Sequence, residues 1–381
     1  MTGTVAGRLG LADALTAVAG ARAVITQEAA HTDRAAVFPA ASIAALREAG
    51  LMSLAIPVPF GGHGFDAVGL AEVGRALGGL CGSTAMIWAM HQIQLGCLED
   101  SARLEPRVAG YLRRAAREQL LIASVTSEVG VGGDVRSSKA AVRQVPGGVE
   151  IVKKAPTISY AEAADAFLVT ARRGPEAPAG DQVLVLAEAH QTTLRQTGVW
   201  DSLGMRGTCS ASQAFAATVA PWQVLDQPFS EIATYRMVPL SHVLWSAVWV
   251  GIAEDALRRA IGLTAAKLRR STAAADPRLA WMHTLTRTTW DAIRMFATDY
   301  ARDPRGPGLG LRANALKVRA SLDTVQAAQM ALEVCGMAGY SEVGPFSVSR
   351  HLRDLYSARL MISNDRLGAV NAELLAFGDD H

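Results

Sequence analysis

Residues Ala123–Val135 read ASVTSEVGVGGDV, and the reading of the whole chain turns on them. A β-rich run through Ile122, Val125 and Thr126 leads into Glu128, then into a loop with Gly130, Gly132, Gly133 and Asp134. Glycines at that density let backbone N–H groups approach a ligand closely, and Thr126 and Ser127 add hydroxyls that both donate and accept. The combination suits the polar edge of a flat heterocycle. It is not a dinucleotide fingerprint, because the third glycine is absent at the required spacing and no helical pattern follows.

Working outward, 381 residues with 50% hydrophobic and 19% charged composition form a folding chain of two or three domains, not a disordered one. A formal net charge of +2 gives no reason to expect nucleic acid or a membrane surface as partner. Cys81, Cys97, Cys209 and Cys335 are widely spaced with no CxxC, which indicates neither a disulfide framework nor a metal site. The start of the chain lacks a basic stretch followed by an apolar core, so no signal peptide is expected. The most apolar run, Val243–Ala253, falls short of the roughly 18 residues that a membrane span needs. A soluble, cytoplasmic protein is the expectation.

From Leu9 to about Leu121 apolar residues recur at three- and four-residue spacing, as in Ile43, Leu46 and Ala49, with Phe38-Pro39 before that helix and Gly50 after it. Further helices are predicted over Ala67–Leu80 and Ser83–Leu98; the second is apolar all round and therefore buried. His91, within it, reads as a core or interface histidine. Between Leu121 and Leu225 β-branched runs replace the helical period at Gly148–Lys153, Phe167–Ala171, Val183–Ala187 and Gln213–Val219. Helical spacing then returns over Ile232–Leu268 (one helix or two), Pro277–Ala301, Arg312–Cys335 and Val348–Phe377. Arg302–Gly310, RDPRGPGLG, is the clearest break. The class is α+β, with a helical domain over residues 1–121, a β domain, barrel or sandwich, over 122–225, and a helical bundle over 226–381.

That order and four motifs resemble the acyl-CoA dehydrogenase family of FAD enzymes. Pro57–Gly64 (PVPFGGHG) looks like the family's P-x-x-x-G-G-x-G, and Ala123–Val135 looks like its flavin-cradling T-E-P-x-x-G-S-D. Leu203–Ser210 (LGMRGTCS) and Ala331–Tyr340 (ALEVCGMAGY), the latter followed by Arg353-Asp354, resemble two later segments. The resemblance implies a central β-barrel and a C-terminal four-helix bundle. It also implies FAD, with FMN as the alternative, and a homotetramer or dimer. It places Thr126, Ser127, Thr157, Ser159 and Asn364 against the flavin. It brings Lys267 or Arg270, with Glu333 and Gly336, to a neighbouring subunit's cofactor, and puts Gly133 beside the substrate. Lys267–Arg270 also reads as a solvated basic helix end.

The resemblance further implies α,β-dehydrogenation of an acyl thioester, on CoA or a carrier protein, with hydride transfer to flavin N5 and a carboxylate that removes the α-proton. Counting from Arg353-Asp354, that carboxylate falls on Ile362; the alternative position in a branched-chain subgroup falls near Ser241 and His242. The standard base is absent. A dehydrogenase or oxidase would then rely on Asp365, which also reads as a helix N-cap, or on His242. A flavin-dependent monooxygenase of the same fold, served by a flavin reductase, is the alternative: Thr157 replaces a bulky aromatic and Gly133 a serine, which opens space above the ring. A third reading is a non-catalytic subunit of a hetero-oligomer.

Overall fold

The computed structural model describes residues 8–131, 136–270 and 274–377. Helices α1 (Leu11–Ala35), α2 (Ala40–Glu48), α3 (Ala67–Gly78), α4 (Gly82–Leu104) and α5 (Pro106–Glu118) come first. Strands β1 (Ile122–Val125), β2 (Arg143–Val145), β3 (Gly148–Ala155), β4 (Ala166–Arg172), β5 (Gln182–Glu188), β6 (Thr192–Gln196) and β7 (Gln213–Val219) follow. The chain finishes with α6 (Phe229–Ile232), α7 (Val238–Leu268), α8 (Arg278–Arg302), α9 (Leu309–Cys335), α10 (Met337–Tyr340), α11 (Ser349–Tyr356) and α12 (Asn364–Phe377).

Helix α4 is buried along most of its length, as its uniform apolarity requires. Trp88, His91 and Gln92 of this helix serve the loop that begins at Leu51. Trp88 Nε1 donates to the Leu51 carbonyl, and Gln92 accepts from the Ala55 amide while donating to Met52. A Pro- and Gly-rich loop has no ladder to satisfy its backbone, so buried side chains do it. His91 belongs to this set. Its Nδ1 accepts from the Ile122 amide at 3.0 Å, which leaves Nε2 to donate to the Met52 carbonyl at 2.7 Å. Burial holds its pKa down to about 4, so it is a neutral tie between α4 and β1.

The strands make two sheets, β1-β4-β5 and β2-β3-β7-β6, and all ladders except β1–β4 are antiparallel. Bridges Ala141↔Arg172 and Val185↔Val224 bring the segment before β2 and the segment after β7 onto β4 and β5 of the first sheet. Inside, Phe167 and Phe215 meet edge to face at 5.4 Å. Lys153 crosses from β3 to donate to the Thr170 carbonyl of β4 at 2.8 Å.

Pro239 shapes the next element. It cannot donate to the carbonyl of residue 235, and the backbone widens into a π-turn over Ala233–Met237. Tyr300 Oη donates to the orphaned Tyr235 carbonyl at 2.7 Å instead. The helical run Phe229–Leu268 is thereby continuous and longer than the apolar stretch suggested. By composition it is long enough to cross a membrane, but 78% of its most apolar window lies buried inside the molecule. Glycines set how closely α3 and α7 cross: a Cβ on Gly251 would overlap the Arg75 carbonyl, and one on Gly78 the Val248 carbonyl. The predicted single helix Val348–Phe377 is corrected. It breaks between Tyr356 and Asn364, and that break carries part of the site.

Candidate functional site

Two cavities lie against the β region where it meets α4, α7 and the 357–363 break. One, of about 300 Å³, is bordered by Ser124, Thr126, Ser127 and Glu128 on one side and by Ala233, Met237, Ser241 and Trp245 on the other. The second, of about 530 Å³, is bordered by Trp200, Met205, Thr208, Ser210, Arg353 and Tyr356. Met90, Thr157, Ser159, Met361 and Ile362 form the wall they share. The structure therefore brings Thr126, Ser127, Thr157 and Ser159 together.

Their hydroxyls have defined directions. Ser127 Oγ donates to the Thr157 carbonyl at 2.6 Å, which ties the segment after β1 to the segment after β3. Thr208 Oγ1 donates to the Met205 carbonyl at 2.8 Å. Its single proton is thereby used, so Ser210 must donate to Thr208 and Ser159 to Ser210, both at 2.8 Å. Ser159 is left with lone pairs to offer a ligand N–H. A flat ring with N–H and C=O groups along one edge fits this row of hydroxyls above an apolar, methionine-rich space, which is the chemistry of a flavin ring.

Glu128 is the only carboxylate lining either cavity among the described residues, and it is fully engaged. It accepts from Ser138 Oγ (2.7 Å), the Ala140 amide (2.7 Å) and the Lys139 amide (3.1 Å). Burial would raise its pKa, but these bonds and nearby Lys153 outweigh that and hold it below the usual range. Glu128 is a strut for the strand edge. The position counted for the base, Ile362, lies in the shared wall with φ 49°, an unusual conformation for a β-branched residue.

Asp365 is exposed in the first turn of α12 and His242 is buried inside the bundle; neither borders a cavity. Burial drives the His242 pKa down to about 3, so it is neutral. Ser241, its neighbour, does face the smaller cavity. Asn364 stands behind the wall: its Oδ1 accepts from Lys317 Nζ at 2.8 Å and its Nδ2 donates to Ser321 at 2.9 Å. Lys267, Arg270, Glu333 and Gly336 are exposed where α7 and α9 end, away from both cavity walls, and Glu333 pairs with Arg278 at 2.7 Å. Gly133 lies outside the described residues.

Lys317, Ser210 and Thr208 were not anticipated. Lys317 did leave a signal, since it interrupts the otherwise small and apolar stripe Ala313, Ala320, Thr324, Ala327 on α9. The Arg353-Asp354 pair binds the second cavity together. Arg353 reaches Asp33 of α1 at 2.5 Å, and Asp354 accepts from the Met205 amide at 2.6 Å.

The model of the acyl-CoA dehydrogenase N-terminal domain matches residues 14–103, and that of the acyl-CoA dehydrogenase C-terminal domain matches residues 237–361. The chain belongs to the acyl-CoA dehydrogenase family. It is an enzyme of that family's oxidoreductase class. Cyclohex-1-ene-1-carbonyl-CoA dehydrogenase of Syntrophus aciditrophicus is 28% identical over 87% of this chain and 80% of its own length. L-evernosamine nitrososynthase of a Micromonospora strain is 27% identical over 66% of this chain and 61% of its own. Among solved structures, TdsC from Paenibacillus sp. A11-2 with FMN and indole superposes with a TM-score of 0.83 at 21% identity, over 97% of this chain and 98% of that one. That last likeness speaks for the fold.

Proposed function

We propose that this chain is a flavin-dependent monooxygenase acting on an apolar small molecule. One observation carries the reading: the position that the resemblance assigns to the base is Ile362, and among the described residues the single carboxylate on the cavity walls, Glu128, is committed to Ser138, Lys139 and Ala140. Removing a weakly acidic α-proton needs a positioned base, whereas oxygen transfer does not require a carboxylate there.

The flavin is FAD or FMN, held by Thr126, Ser127, Thr157 and Ser159. Bound there in reduced form, it would supply the electrons that divide dioxygen between substrate and water. The protein's own part is orientation and exclusion of water. Ser159, whose proton points to Ser210, accepts a ligand N–H, and the chain Ser159–Ser210–Thr208 ends on a carbonyl, which keeps that polarity fixed. Met86, Met90, Ile93, Met237 and Trp245 offer an adaptable apolar wall to the substrate. A flavin reductase is the implied partner, and a cytoplasmic location agrees with that supply. The molecule is proposed to be a homodimer or homotetramer, with Lys267, Arg270, Glu333 and Gly336 directed at a neighbouring subunit's cofactor.

Dehydrogenation of an acyl thioester is the second reading, favoured by the 28% identity to a CoA-thioester dehydrogenase over most of the chain. It would need Asp365 or His242 to reach a cavity that neither borders. Isotopic oxygen decides: the monooxygenase reading expects one atom from ¹⁸O₂ in the product formed from flat apolar substrates with chemically reduced flavin. Consumption of reduced flavin with no label in any product would overturn it.

A further inference from the structure

We propose that Lys317 is a positioning residue: its buried ammonium holds the segment from Leu360 to Asn364 in the conformation that puts Met361 and Ile362 into the wall shared by both cavities. Lys317 is fully buried in the middle of α9. Among the described residues no carboxylate pairs with it. Its Nζ donates to the Ile362 carbonyl at 2.7 Å and to Asn364 Oδ1 at 2.8 Å. The ring of Trp249 lies 5.9 Å away, and His242, also on α7, is neutral. Both hydrogen-bonded acceptors therefore come from one short segment.

A buried charge without a counter-ion must be hydrogen-bonded or it destabilises the fold. In the conformation that supplies those bonds Ile362 is left-handed, and neither glycine nor proline is there to cause it. Ser321 completes the arrangement by accepting from Asn364 Nδ2, so that Oδ1 faces the ammonium. Charge-assisted bonds are the stronger partner in this exchange, and the strained backbone yields to them. Two side chains of the wall are thus set by a residue that does not line it.

This inference rests on the flavin-site reading only for what the wall encloses; the latch itself is a property of the chain. Hydrogen exchange of the flavin-free protein tests it. Lys317→Met should raise exchange of the amides from Met361 to Arg366 at least tenfold and leave α8 unchanged, and Lys317→Arg should restore protection. With flavin added, Lys317→Met should shift the visible band and Lys317→Arg should return it. Exchange in that segment equal to wild type, or a rise spread evenly through α9 and α11, would overturn the proposal. Asn364→Leu gives the same reading if Lys317→Met does not fold: a local rise is expected, and unchanged exchange contradicts the latch. Flavin uptake by the wild-type protein is measured separately and bears on the proposed function alone.

Discussion

At the scale of residues, hydroxyl direction is the most informative feature of the site. The Ser159 proton is consumed within the protein, which makes Ser159 an acceptor toward the cavity. Ser159→Ala should therefore weaken flavin binding about five- to tenfold, the worth of one hydrogen bond of about 1 kcal/mol; unchanged flavin content and reduction rate would remove Ser159 from the site. Asp354 makes a pH prediction. Burial, the largest influence, raises its pKa from 3.8 to about 6. The folded value lies above the unfolded one, so its contribution to stability is complete below about pH 4 and is lost as pH rises through 6. Asp354→Asn keeps an acceptor for the Met205 amide and removes the titration. Its melting temperature should exceed wild type by a few degrees at pH 7.5, corresponding to at most about 3 kcal/mol, and match it near pH 4. A difference that does not vary with pH would contradict this. Thr126, Ser127, Thr157 and Ser159 could be brought to one cavity from the sequence because the family resemblance places the segments just beyond β1 and β3 together. Lys317 could not be assigned a partner, since its acceptors lie 45 and 47 residues away.

Among the elements, the π-turn over Ala233–Met237 and the break after Tyr356 shape the cavities, and they differ in legibility. The first had a signal that the helical spacing over Ile232–Leu268 masked: Pro239 removes one helical donor, and Ala233 and Met237 come to the smaller cavity. Pro239→Ala should let the turn close toward an α-helix and withdraw Met237, changing the apparent substrate KM severalfold with kcat little altered; an unchanged KM would separate the turn from the site. The second was invisible. LMISN contains no helix breaker, and its helical spacing predicted continuity from Val348 to Phe377. A tertiary charge–dipole contact decided otherwise, as is common where local preference yields to a site. The strands show the same contrast. β3, β4, β5 and β7 carried enough apolar residues to be predicted, while the short edge strands β2 and β6 did not.

For the whole molecule, the helical–β–helical order was legible because long periodic helices and β-branched runs differ in period over many residues. Assembly is expected only from the resemblance. Met337 and Tyr340 of α10 are 79% and 68% exposed, and Trp281 of α8 is 63% exposed, at the end of the bundle that carries Lys267 and Glu333. Large exposed apolar side chains grouped in this way favour association with another copy. Light scattering should give a dimer or tetramer, and Met337→Glu combined with Tyr340→Glu should lower the mass and weaken flavin retention. A monomeric wild type would refute this part.

The proposed function requires that the cavity hold a flavin and that no base placed for thioester dehydrogenation face it. Anaerobic titration of the flavin-loaded protein with a panel of acyl-CoAs, followed by the visible spectrum, tests it most directly. The oxidised band should persist with every thioester, while reduced flavin should be reoxidised rapidly on admitting oxygen. Bleaching by even one acyl-CoA would contradict the account, return the chain to the dehydrogenases, and require a base that reaches the wall at Ile362.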